Sequence, residues 1–137
     1  MNGKPRLAVL LLGATLLATS AAATQEPKRL TVFSRLEPGL WELRELANPA
    51  APRRSLCLAD PQVLMQIEHR GLPCSSLVLV DRRESASVHY TCPASGFGRT
   101  SVRWISRRLI TVDTQGIRDN RPFAYRADAR RLRDCRR

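Results

Sequence analysis

The residues with the clearest chemical potential in this chain are its four cysteines, Cys57, Cys74, Cys92 and Cys135. An even number of cysteines in an exported chain indicates disulfides, and four cysteines allow three pairings. A zinc site is the alternative. The spacing contains no Cys-x-x-Cys and no paired histidines, so it disfavours a metal centre.

Catalytic chemistry has little support in the sequence. His69 and His89 are the two histidines, and neither has a metal-type spacing. We expect His69 in the last turn of a helix and His89 on an exposed strand face. The sequence Gly96-Phe97-Gly98 lacks the strand–turn–helix context of a phosphate-binding loop. The sequence therefore predicts a protein that is not an enzyme, with no catalytic, cofactor-binding or metal-binding residue and no cofactor.

The N-terminus predicts export. Lys4 and Arg6 precede an apolar run over residues 7–18, and small residues ending at Ala23 follow it. This order is typical of a signal peptide, here residues 1–23, cut before Thr24. A retained membrane anchor is the alternative, but the apolar run is shorter than the roughly 20 residues of a spanning helix. We expect no transmembrane segment after cleavage.

The chain is strongly basic, with 23 Lys+Arg against 12 Asp+Glu and a net charge of +11. Such a balance suggests nucleic acid, anionic lipid or an acidic polymer as a partner. The arginines are spread along the chain without interleaved aromatic residues, and an exported protein rarely meets nucleic acid. Nucleic acid is therefore disfavoured. An anionic envelope component and a merely solvated basic surface both remain open.

The segment around Cys92 predicts both a hairpin and a disulfide. Apolar and polar residues alternate, and one strand face carries Ala86, Val88, Tyr90 and Cys92. Folding the chain about Arg83 gives the register Val80–Ala86, Val78–Val88 and Cys74–Cys92. Opposed strand residues are close enough for a disulfide, so we predict Cys74–Cys92.

By elimination Cys57 pairs with Cys135, which ties the last segment to an early strand. A loop of about 80 residues closed in this way is worth about 3–4 kcal/mol in the chain-entropy model. Without this bond, a short and highly charged terminal segment is expected to fray.

The remaining pattern predicts a mainly β protein. We expect residues 24–38 to be a flexible N-terminal segment and residues 39–137 to be a single disulfide-bonded, β-rich domain. One short α-helix begins at the N-cap Asp60 and ends at Gly71. The strands should form an antiparallel β-meander in a curved sheet or partial barrel, over residues 39–46, 54–58, 77–80, 85–92, 100–106, 109–114 and 123–127.

Five aromatic residues alternate on these strands and should face the interior. They are Trp41, Tyr90, Trp104, Phe123 and Tyr125. Aromatic side chains at such positions line either a packed core or a small apolar pocket. A small apolar ligand is therefore one candidate partner.

The ordered motifs resemble a known family. They are Gly39-Leu40-Trp41-Glu42 soon after a signal peptide, Cys57-Leu58 before a helix, Cys74 and Cys92 in a meander, and Asp134-Cys135 at the end. This set is similar to the DUF3617 family of small exported bacterial proteins, a domain of unknown function. The resemblance implies a periplasmic location in a Gram-negative bacterium and a disulfide-bonded β-rich domain. It implies no activity.

Three functions follow as hypotheses. The first is a non-enzymatic periplasmic binding or envelope-maintenance module. The second is an electrostatic binder of an anionic envelope component through the arginine-rich surface. The third is an enzyme whose residues the sequence does not reveal.

Overall fold

The computed structural model describes residues 28–136, so the predicted signal peptide lies outside the described residues. The elements are a first 3₁₀ helix (Thr31–Arg35), β1 (Gly39–Glu45), β2 (Arg54–Leu58), a second 3₁₀ helix (Pro61–His69), β3 (Ser75–Asp81), β4 (Ser85–Cys92), β5 (Gly96–Ser106), β6 (Leu109–Arg118) and β7 (Arg121–Arg133).

The seven strands form one antiparallel sheet in the order β2-β1-β7-β6-β5-β4-β3. Strands β3 to β7 are a meander in which each strand pairs with the next along the chain. The β1–β2 hairpin joins this meander by pairing β1 with β7. The sheet is open, with β2 and β3 at its edges. The predicted mainly β, antiparallel architecture is confirmed.

One face of the sheet is covered by the two 3₁₀ helices, and the core lies between them and the sheet. The prediction of a flexible segment over residues 24–38 is wrong for its described part, because Leu30, Phe33 and Leu36 are buried in this core. Residues three apart align on one side of a 3₁₀ helix. These three side chains therefore form one apolar stripe, and Val32 beside them is also buried. The polar residues Thr31, Ser34 and Arg35 conceal the pattern in the sequence.

The predicted helix after Asp60 is present, but it is not an α-helix. Pro61–His69 winds as a 3₁₀ helix, and Asp60 accepts the expected N-cap hydrogen bond at 3.0 Å. A kink interrupts it at Gln66, whose backbone lies at φ −132° and ψ 35°. The Gln66 amide donates to the carbonyl oxygens of His69 and Leu72, both at 3.1 Å. These local bonds hold the helix end in place of a regular α-helical turn.

Both predicted disulfides are confirmed. Cys57–Cys135 joins β2 to the residues after β7, with the Cα atoms 5.7 Å apart. Cys74–Cys92 closes the β3–β4 hairpin, with the Cα atoms 4.2 Å apart. The two bonds therefore lie toward opposite edges of the sheet.

The predicted register of the β3–β4 hairpin is correct at one end and wrong at the other. Val78 pairs with Val88 as expected, but a β-bulge follows and Val80 pairs with Ser87 instead of Ala86. The extra residue of a bulge reverses which face the later side chains occupy. Val80 therefore lies on the uncovered face of the sheet.

The polar stretch from Gln115 to Pro122 reads as a loop in the sequence, but strand pairing runs almost through it. The β6–β7 turn consists of Asp119 and Asn120, with φ values of 49° and 62°. A two-residue hairpin turn needs positive φ at both positions, which Asp and Asn tolerate. At its other end β7 extends to Arg133, beyond the predicted end at residue 127, because its later residues pair with β1.

Candidate functional site

The uncovered face of the sheet carries a polar row that crosses four strands. Strand pairing aligns Ser87 of β4 with Ser101 of β5, Ser101 with Asp113 of β6, and Asp113 with Arg126 of β7. Small hydroxyl side chains thus occupy the middle of the sheet, where they leave space above the backbone. The result is a groove of about 650 Å³. We call it the arginine groove.

Strand β5 supplies the two arginines at the sides of this groove. Side chains two apart on a strand point to the same face, so Arg99 and Arg103 flank Ser101. Their Cα atoms are roughly 13 Å apart at a rise of about 3.3 Å per residue. Both side chains are exposed and line the groove. Two long guanidinium side chains can therefore close on one group that rests on Ser101.

The charges of the groove are only partly balanced. Asp113 forms an ion pair with Arg126, with an N–O distance of 3.2 Å. Within residues 28–136, no ion pair engages Arg99 or Arg103. Ser101 Oγ donates to Ser87 Oγ at 2.9 Å, which leaves the Ser87 hydroxyl proton for a ligand. Guanidinium groups bind carboxylate and phosphate oxygens through charge-assisted hydrogen bonds, so the groove is suited to an acidic group.

A second group of polar residues lies where the second helix meets the ends of β2, β6 and β7. We call Arg54, Glu68, Arg118 and Tyr125 the Glu68 cluster. Glu68 Oε1 accepts from Arg54 Nη1 at 2.8 Å and from the Tyr125 hydroxyl at 2.5 Å. Arg118 Nη1 lies 3.8 Å from the other carboxylate oxygen. The Glu68 side chain is only 13% exposed, so the carboxylate ties four elements together.

Contacts within the cluster shift the pKa values of Glu68 and Tyr125. Burial acts to raise the pKa of Glu68. The hydrogen bonds from Tyr125 and Arg54, with the charges of Arg54 and Arg118, outweigh burial and hold this pKa below its usual value. Burial and the hydrogen bond to Glu68 raise the pKa of Tyr125. Glu68 is therefore a carboxylate and Tyr125 a phenol at neutral pH, and each stabilises the other.

His69 is buried, with 1% of its surface exposed. Nε2 lies 3.1 Å from the Ser95 carbonyl oxygen, and Nδ1 lies 3.3 Å from the Tyr90 hydroxyl. A carbonyl oxygen can only accept, so in the neutral ring Nε2 donates to it and Nδ1 accepts from Tyr90. Burial and the charge of Glu68 raise the pKa of Tyr90 to about 12, which keeps its hydroxyl a donor. Gly98 permits this arrangement, because a Cβ there would collide with the Tyr90 hydroxyl.

The five aromatic residues predicted to share an interior lie in different surroundings. Trp41 and Tyr90 are fully buried in the core. Trp104 is partly buried, and the Arg35 guanidinium stacks 3.7 Å from the centre of its ring. The Phe123 ring lies 6.1 Å from the His69 ring, and Tyr125 belongs to the Glu68 cluster. These residues therefore do not surround one common pocket.

Sequence reasoning did not single out the residues of the arginine groove, which are Ser87, Arg99, Ser101, Arg103, Asp113 and Arg126. A signal was present, because Ser101 and Arg103 alternate with apolar or buried residues on the strand predicted over residues 100–106, and Arg99 directly precedes that strand. The alignment with serine and aspartate on neighbouring strands depends on register, which the sequence did not give for the whole sheet. His89 is half-buried on the same face, beside Phe97.

Comparisons of this chain with protein-family models, with curated proteins and with solved structures find no match. In residues 28–136, no three His, Cys, Asp or Glu side chains gather as metal ligands would. None of the helices in that part of the chain has the length and apolar content needed to cross a bilayer. Two disulfides fit an exported protein.

Proposed function

We propose that this chain is a small, non-enzymatic binding protein of the Gram-negative periplasm, which holds an anionic component of the envelope in the arginine groove. The observation that carries the proposal is the pair Arg99 and Arg103, exposed and free of ion pairs within the described sequence, on either side of Ser101. The export part of the proposal is supported by the disulfides and by the predicted signal peptide. Membership of a DUF3617-like family is part of the same proposal.

The geometry of the groove favours a specific binding site rather than an unspecific basic surface. Arg126 is neutralised by Asp113, whereas the two arginines of β5 have small serine side chains between them. The β5 backbone beneath the groove pairs with β4 on one side and with β6 on the other. The serine hydroxyls and the Cα atoms of both arginines are therefore held in position. A preorganised site loses less entropy when a ligand binds.

The test is a titration with inorganic phosphate and with butyrate, followed by amide NMR of the oxidised protein recovered from a bacterial periplasm. We expect shifts centred on β5 near Ser101, and affinity that falls as salt rises from low to moderate concentration. The double variant Arg99→Gln/Arg103→Gln should lose binding about tenfold or more, since each charge-assisted hydrogen bond is worth roughly 1.5–3 kcal/mol.

A matched control removes the same charge elsewhere. Arg82→Gln/Arg83→Gln changes two exposed arginines in the β3–β4 turn and should leave the affinity nearly unchanged. Equal loss in both double variants would mean that net charge alone attracts the anion, and the proposed groove would then be wrong. Shifts that map to the Glu68 cluster instead of β5 would also reject it.

A further inference from the structure

An apolar groove continues the arginine groove along the same strands. It encloses about 390 Å³. Arg99 and Gln115 line both grooves, so the two share a boundary. Beyond that boundary the lining changes to apolar side chains, chiefly Phe97 of β5 and Ile117 of β6. The uncovered face of the sheet thus passes from charged to apolar within one continuous surface.

The apolar side chains of this surface are exposed and adjacent. Phe97 is 42% exposed and Ile117 is 36% exposed, and they are paired in the β5–β6 register. The His89 ring lies 6.1 Å from the Phe97 ring, which extends the patch to β4. Contact of such side chains with water is unfavourable, and a ligand that covers them gains roughly 25 cal/mol for each Å² removed from water.

The strand sets the distance between the charged and apolar parts. Phe97, Arg99, Ser101 and Arg103 succeed one another on one face of β5 at steps of two residues. Ser101 and Phe97 are therefore roughly 13 Å apart along the strand, and Arg99 and Phe97 roughly 7 Å. A ligand whose acidic head is held beside Arg99 therefore needs an apolar body of at least about 7 Å to reach Phe97.

We infer that the ligand is a free amphipathic acid, with one carboxylate or phosphate-like head held by Arg99 and Arg103 and an unbranched apolar body lying across Phe97 and Ile117. This inference rests on the proposed function, because the head group occupies the arginine groove. Charge complementarity selects the acid, and the exposed patch next to Arg99 selects the apolar body. A short hydrophilic anion would leave that patch in water.

The experiment compares octanoate, below its micelle concentration, with butyrate by isothermal titration calorimetry. We expect octanoate to bind at least about tenfold more tightly, since burying a methylene is worth roughly 0.8 kcal/mol. Phe97→Thr keeps a residue that favours strands and should remove most of this preference while leaving butyrate binding within about twofold. The matched control is Ile105→Thr, which removes an exposed apolar residue of the same strand beyond Arg103.

Each other outcome has a defined meaning. Equal affinity for octanoate and butyrate, both lost in Arg99→Gln/Arg103→Gln, overturns this inference and leaves the proposed function standing. Octanol binding as tightly as octanoate overturns it because the head group is then dispensable. Stronger Phe97-dependent binding to phosphatidylglycerol vesicles than to octanoate overturns it in favour of a membrane surface. If phosphate, butyrate and octanoate all fail to bind, the proposed function is rejected together with this inference.

Discussion

The Glu68 cluster and the arginine groove both gather arginines on the same sheet, but they leave those arginines in opposite electrostatic states. In the cluster, Arg54 and Arg118 approach one carboxylate that is largely shielded from water. In the groove, Arg99 and Arg103 flank a serine, and Asp113, which lines the groove, is already paired with Arg126. The difference shows that an arginine's role here depends on whether the fold places an acid beside it.

The cause of this difference is the element that covers each region. The second 3₁₀ helix lies over one face of the sheet and brings Glu68 to the ends of β2, β6 and β7. On the other face, no helix of the described residues lies across the arginine groove, so only neighbouring strands can supply an acid. The first region is closed by the chain itself, and the second is open to a ligand.

The largest loss of unfolding free energy should come from removing the disulfide that holds β2, the edge strand that carries Arg54. The double variant Cys57→Ser/Cys135→Ser should lose about 4 kcal/mol of unfolding free energy, because it opens the longer disulfide loop. Cys74→Ser/Cys92→Ser, with a separation of 18 residues, should lose about 3 kcal/mol. Urea unfolding measures both. Anion affinity of the folded protein should stay unchanged in the first variant, and a parallel loss of affinity would show that the two regions are coupled.

Removing the Glu68 carboxylate should lower the unfolding free energy more than removing the Asp113 carboxylate in the groove. Glu68→Gln leaves Arg54 without its charged acceptor. It should lower the free energy of unfolding, measured with urea, by about 2 kcal/mol. The matched change Asp113→Asn in the groove removes an exposed pair and should cost less than about 0.5 kcal/mol. Similar losses in the two variants would contradict the contrast between a closed and an open region.

The Glu68 cluster should also make the unfolding free energy depend on pH. Because the pKa of Glu68 is lower in the folded protein than in the unfolded chain, its contribution is complete above the unfolded value of about 4.5. That contribution is lost as the pH falls through the folded pKa. Unfolding free energies measured from pH 6 downward should therefore fall more steeply below about pH 4.5 in the wild type than in Glu68→Gln. Parallel curves would remove Glu68 from the explanation.

The smallest effect concerns the groove. Asp113→Asn removes the one acid that lines it among the described residues, and so should raise affinity for butyrate by about threefold at low salt. The gain should shrink as salt screens the charges. Glu68→Gln serves as the control and should leave the affinity unchanged. A weaker site in Asp113→Asn would mean that the aspartate positions Arg126 for the ligand.

The sequence predicted more of the fold than of the site. Alternation around Val88 and the spacing of Cys74 and Cys92 led to one hairpin and, by elimination, to both disulfides. The tight turn at Asp119 and Asn120 was missed because polarity indicates a loop as readily as a two-residue turn. The 3₁₀ stripe at Leu30 was missed because its period of three belongs to neither an α-helix nor a strand.

The amino-acid sequence by itself determined the strand pattern, the disulfide pairing, the basic charge and the prediction of export, since these depend on local periodicity and residue type. Tertiary structure alone decided which arginines are neutralised. Arg54 and Glu68 are 14 residues apart, and Arg54 and Tyr125 are 71 apart, so only the packing of helix on sheet brings them together. The same packing leaves Arg99 and Arg103 without an ion pair among the described residues, because a side chain's electrostatic partners are set by distance in space.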